Sequence, residues 1–256
     1  MTTVDHVRAP GPALLATDCA RAFWEGGALA WTWPALLRAP AGDGRPILVL
    51  PGLGTSDATT LPLRRTLRML GYRVHGWRLG TNIGPSEKIL RGMPARLRAI
   101  ADQEGPVTLI GWSLGGIFAR RLARGHPDQV RQVVTLGSPF RLSDHGQSNA
   151  RLVYEVFGRW HAEELGLPLE PDGAPLPVPS VAIYSRLDGI VPWQLCRDPA
   201  PSAENIEVLG SHLGLGANPA VLWALADRLA HGPGGPPFRP PPAFTFAYPA
   251  TATDRA

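Results

Sequence analysis

The chain has 256 residues, with 25 Lys and Arg against 21 Asp and Glu for a net charge of +4, which is ample for one α/β domain with a full core and suggests no second independent domain. Its arginines are scattered through expected helices and turns without a basic run, so the positive balance reads as solvated faces and not as a nucleic-acid surface. The widely separated Cys19 and Cys196 exclude a disulfide framework. The longest uncharged stretch near the start, 26–37, falls short of a membrane span, and no leader pattern opens the chain, which points to a cytoplasmic protein.

Residues 1–45 read as a helical extension, in which the apolar stretch 13–37 forms one or two short helices. Trp24, Trp31 and Trp33 are expected to pack on the core or rim a site instead of facing solvent. A strand at 47–50 then runs into the turn Pro51-Gly52-Leu53-Gly54. A helix at 61–70 stops at Gly71, a strand follows at 72–79, and a helix at 86–104 begins after Pro85. Next come a strand at 107–110, a helix whose Leu114, Ile117, Phe118 and Leu122 recur at helical spacing up to Gly125, and strands at 130–136, 181–184 and 206–209. Asn218-Pro219 caps a last helix at 220–229. This alternation over 46–230 predicts an α/β fold, a mostly parallel sheet with helices on both faces. Residues 138–179 interrupt it; within them 151–165 supports one amphipathic helix and 167–179 is proline-rich and extended. Residues 231–256 are rich in Pro and Gly and read as a flexible or loosely docked tail, with Phe244, Phe246 and Tyr248 as its only anchors.

Ser113 sits in Gly111-Trp112-Ser113-Leu114-Gly115, between a strand and a helix. A sharp turn there makes the hydroxyl project and needs nearly side-chain-free residues two before and two after, which Gly111 and Gly115 provide. The helix N-terminus also turns its positive end toward any oxyanion. An activated serine needs a base, an acid that orients the base, and oxyanion donors. Of the seven histidines, only His75 and His212 lie near strand ends, and His75 precedes the serine. For the acid, Asp188 stands at the end of the 181–184 strand, with Asp144 as its competitor. The chain order is then Ser113, Asp188, His212. The turn at 51–54 reads either as a cradle of backbone N–H groups or as a plain turn between elements.

The serine pentapeptide, this chain order and the 51–54 loop resemble the α/β hydrolase superfamily over roughly 46–229, and within it bacterial serine esterases and lipases. The pentapeptide is also similar to that of pimeloyl-carrier-protein methyl ester esterases. The resemblance implies oxyanion donation by the backbone N–H groups of Leu53 and Leu114, although proline stands at 51 where the family pattern has histidine. It also implies a cap at 138–179, for which a surface excursion is the alternative. The expected activity is hydrolysis of a small carboxylic ester through an acyl-enzyme, with no metal or organic cofactor, no nucleic-acid partner and no transmembrane segment. Trp112, Phe140, Ile190 and Trp193 lean toward an apolar acyl group. Thioester hydrolysis or acyl transfer by the same residues, and a fold kept for binding without catalysis, are the competing readings.

Overall fold

A computed structural model of the chain describes residues 9–140 and 174–249. Asp144, the expected helix at 151–165 and most of the 138–179 insertion lie outside the described residues. Six strands, β1 (Pro46–Leu50), β2 (Arg73–Gly76), β3 (Val107–Trp112), β4 (Val130–Leu136), β5 (Ser180–Tyr184) and β6 (Ala203–Glu207), form one sheet in the order β2-β1-β3-β4-β5-β6. Every neighbouring pair is parallel. The helices are α1 (Pro12–Leu36), α2 (Leu61–Met69), α3 (Glu87–Glu104), α4 (Leu114–Gly125) and α5 (Pro219–His231).

Side chains alternate across each strand, so the two faces feed two cores. Ile47 and Val49 of β1, with Ile110, Val134 and Ile183 along the sheet, pack with Leu36 of α1, Leu63 and Leu67 of α2, and Val221, Leu222 and Leu225 of α5. Leu48 and Leu50 turn the other way, joining Leu109 and Val133 under Met93 and Leu97 of α3 and Phe118 and Leu122 of α4. Helix starts follow the sequence signals. The Ser86 hydroxyl accepts from Ile89 N–H, and the Asn218 side chain accepts from Ala220 and Val221 N–H.

Two strands differ from expectation for identifiable reasons. β2 stops at Gly76 because the Asp57 carboxylate takes the N–H groups of Trp77 (3.1 Å) and Arg78 (3.0 Å), which a longer ladder would need. β6 begins three residues early, at Ala203, because an edge strand tolerates polar residues. Glu204 there meets Arg228 at 3.0 Å, and the Asn205 side chain holds the backbone of Asp198.

The two ends of the chain depart furthest. Residues 12–36 form one continuous helix in spite of Gly26-Gly27 at its middle, so packing against α5 and not propensity holds it. Trp33 packs on the core, but Trp24 and Trp31 do not: they are 75% and 88% exposed, contrary to the expectation that tryptophans in this segment avoid solvent. Apolar side chains of the helix thus lie both on the core and in the open. The tail in turn is docked through Pro249. Tyr248 is fully buried, its hydroxyl donates to Ala220 O at 2.8 Å, and its ring meets Phe238 at 5.0 Å between centroids. Phe238 N–H donates to Glu204 at 2.6 Å, and Leu209 N–H to Ala247 O at 2.9 Å. Only Phe246, of the three expected anchors, stays outside, 74% exposed. Tyr248→Ala is therefore expected to cost about 3–4 kcal/mol in urea unfolding and Tyr248→Phe about 1 kcal/mol; a loose tail would leave both midpoints unmoved.

Candidate active site

From β1 the chain crosses to β2 on one side and from there returns to β3 on the other, so the order of strands reverses between β1 and β3. Crevices at the carboxyl ends of strands form at such reversals. Ser113 lies there, directly after β3, with φ 53° and ψ −122°, a backbone conformation that a residue with a side chain rarely adopts. Its N–H donates to Leu136 O at 2.8 Å, tying the turn to the end of β4. Gly115 is required because α4 runs against the last residues of β1: a Cβ on Gly115 would collide with the carbonyl of Leu50, and one on Gly111 with the backbone of Gly115 and Gly116.

His212 and Asp188 come to this point from the loops after β6 and β5. His212 Nε2 is 3.0 Å from Ser113 Oγ, and His212 Nδ1 is 2.6 Å from Asp188 Oδ2. Asp188 Oδ1 accepts from the N–H groups of Ile190 (2.8 Å) and Val191 (2.6 Å), which fixes the carboxylate and leaves Oδ2 for the ring. All three residues are buried, and Ser113, at 9% exposure, is the most open of them. Burial alone would push the imidazole of His212 down. The charge of Asp188 and its hydrogen bond, with Asp18 behind them, outweigh burial and raise it above its ordinary 6.5. His75, the other histidine near a strand end, sits on β2 and faces Glu104 at 3.0 Å.

The 51–54 loop lies beside Ser113, so close that a Cβ on Gly52 would be 3.3 Å from the serine Cβ. Buried Asn82 brackets it: its side-chain amide donates to Pro51 O (2.8 Å), its N–H to Thr55 O (2.7 Å), and its carbonyl accepts from Gly54 N–H (2.7 Å). Leu53 is thus held between two pinned neighbours, and Leu114 opens α4 on the other side of the serine.

Sequence reasoning missed the contribution of α1. Asp18, 1% exposed, accepts from Gly189 N–H (3.0 Å), His212 N–H (3.0 Å) and Leu213 N–H (2.9 Å). Glu25 accepts from Ser211 N–H (2.7 Å) and the Asn218 amide (3.0 Å). Burial raises the Glu25 carboxyl above its ordinary value, while these donors pull it back. The helix lies so close that a Cβ on Gly189 would strike Leu14 O, and one on Gly214 would strike the Glu25 carboxylate. A signal was present: Asp18, Arg21 and Glu25 are the only charged residues of this apolar helix, and their spacing puts them on one face.

A family model described as alpha/beta hydrolase fold matches residues 90–160. Among solved structures, Aspergillus fumigatus lipase B superposes with a TM-score of 0.57 at 18% identity, over 77% of this chain and 55% of that one. The chain has the α/β-hydrolase fold. Pimeloyl-(acyl-carrier protein) methyl ester esterase of Shewanella woodyi is 36% identical over 98 residues, which is 38% of this chain and 37% of that protein. The match thus spans little more than a third of that relative's length. The protein of the same name from Aeromonas hydrophila subsp. hydrophila is 26% identical over 206 residues, covering 59% of this chain and 80% of the relative.

Of the four residues expected to line an acyl site, each has a defined partner. Trp112 is buried and donates its indole N–H to His212 O at 3.1 Å. Phe140 is buried with the Arg120 guanidinium 3.9 Å above its ring. Trp193 stacks on Tyr184 at 5.8 Å and carries Arg186 at 4.5 Å. Ile190 packs beside them and donates its N–H to Asp188. None of the four lines the apolar cavity of about 220 Å³ between α1, α5 and the tail, whose walls include Ala28, Trp223, Phe244 and Phe246. Among the described residues no group of three His, Cys, Asp or Glu side chains could hold a metal ion, and no helix is long and apolar enough to cross a membrane.

The conformation of Ser113 yields a stability test. A side chain at such a φ costs roughly 1–3 kcal/mol, and glycine relieves it. Ser113→Gly is therefore expected to unfold at higher urea than Ser113→Ala, by about 1 kcal/mol after glycine's greater freedom in the unfolded chain is allowed for. Equal midpoints for the two variants would show that the turn is unstrained.

Proposed function

We propose that the chain hydrolyses carboxylic esters through a covalent acyl-enzyme on Ser113. The reading is carried by one observation: His212 lies between the serine Oγ at 3.0 Å and the Asp188 carboxylate at 2.6 Å. Ser113 Oγ attacks the ester carbonyl while His212 Nε2 takes its proton. The N–H groups of Leu53 and Leu114 hold the oxyanion of the tetrahedral intermediate. His212 then returns the proton to the departing alkoxide, and water repeats the sequence on the acyl-enzyme. Asp188 keeps Nδ1 protonated and stabilises the imidazolium that forms at each step. Relatives named as methyl ester esterases of a carrier-bound acyl chain support an ester with a small alcohol and an extended acyl part.

Ser113→Ala is expected to abolish hydrolysis of short p-nitrophenyl esters, a loss of several orders of magnitude, and to end labelling by a fluorophosphonate while the fold persists. Retention of most activity would remove Ser113 from the nucleophile's role. Asp188→Asn should keep KM near the native value and lower kcat by about four orders of magnitude, measured with the same esters; Asp144→Asn should be mild. The pH profile has a definite sign. The base must be neutral to act, and the imidazole of His212 is raised, so kcat/KM should fall as pH drops through a midpoint above 6.5. A midpoint below 6.5 would show that the charge of Asp188 does not reach the ring.

A further inference from the structure

We propose that Asp18 is a positioning residue for His212, fastening the histidine loop to the acid loop through their backbone N–H groups. The inference rests on the serine-hydrolase reading of the site and adds to it a second carboxylate, supplied by the far end of the chain.

The geometry is specific. Oδ2 of Asp18 accepts from Gly189 N–H, next to Asp188, and from His212 N–H, both at 3.0 Å, while Oδ1 accepts from Leu213 N–H at 2.9 Å. One buried carboxylate thus joins the backbones on which the acid and the base are mounted. Fixing two backbone segments about one anion removes their relative slip, which a hydrogen bond between the rings and carboxylates at their tips cannot do alone. An acid is the suitable acceptor: it presents lone pairs to every donor, whereas an amide of the same shape would aim N–H groups at N–H groups. Mere docking of α1 does not need it, since Leu36, Leu29 and Trp33 already pack the helix onto the core. Asp18 touches neither Ser113 nor the imidazole, so its action runs through His212 and Asp188.

Its charge adds a second effect. Among the described residues, the groups facing His212 are Asp188 from the loop after β5, Asp18 from α1 and Ser113 from the turn after β3, while buried Cys196, whose thiol burial pushes well up, is coupled to Asp188. Glu25 stands behind, on the N–H of Ser211, and Arg21 meets Asp18 at 3.2 Å. The negative charge of Asp18 favours the imidazolium, and an ion pair that neutralises part of that charge, as Arg21 makes, weakens the pull on the ring.

The test compares the full-length native chain with Asp18→Asn and Arg21→Ala, counting competent sites by fluorophosphonate titration and measuring p-nitrophenyl butyrate hydrolysis against pH. Asp18→Asn should lower kcat per labelled site by about 10- to 100-fold with KM within about twofold, and move the acid limb of kcat/KM down by about half a pH unit. Arg21→Ala should move that limb up. Unchanged kcat per labelled site and an unmoved limb in Asp18→Asn, with only a lower melting temperature, would make Asp18 a plain anchor and overturn the inference. If Asp18→Asn does not fold, Arg21→Ala decides: a limb that stays or moves down overturns it. A native chain that the probe does not label would overturn the serine reading itself, a result distinct from failure at Asp18 alone.

Discussion

The turn at Ser113 is the constraint from which the rest of the site follows. β3 must end and α4 must begin within one residue, while α4 stays pressed on the end of β1, so the chain bends through a positive φ at a residue that carries a side chain. That bend points the hydroxyl away from both elements and leaves the N-terminus of α4 open beside it. The parallel sheet then brings the loops after β1, β5 and β6 to the same edge, so Asp188 and His212 meet Ser113 at the carboxyl ends of neighbouring strands.

Elements whose local pattern is enforced by two-sided burial were readable from sequence. The central strands β1, β3, β4 and β5 are rich in apolar and β-branched residues because helices cover both their faces, and their limits matched closely. The limits of β2 and β6 did not, because a side chain decided them: Asp57 capturing the N–H groups after Gly76, and the pairing of Glu204 and Asn205 at an edge. Ser113, Asp188 and His212 could be singled out because glycine spacing and chain order carry information about a strand-to-helix turn. Their convergence within hydrogen-bond distance is a property of the fold that no local pattern contains.

The two chain ends were legible only in part, for a common reason. Composition predicts whether a segment can form a core by itself, not whether another segment offers it a surface. The proline-rich tail has no periodicity, yet Tyr248 finds a buried carbonyl on α5. α1 has more apolar surface than one partner can cover, so Trp24 and Trp31 remain outside. Its charged residues were legible only as a stripe, because their acceptor role depends on loops nearly two hundred residues further along.

That separation in sequence governs the order in which the molecule can assemble. During synthesis α1 emerges early, but the N–H groups that its Asp18 and Glu25 receive belong to residues 189–218. The sheet core from β1 to β4 can form from local crossovers while the histidine loop still lacks its supports, because closing so long a stretch of chain is entropically late. Docking of the first helix onto residues 189–218 must wait until those residues have been made. A newly made molecule would acquire its sheet well before it acquired a positioned His212.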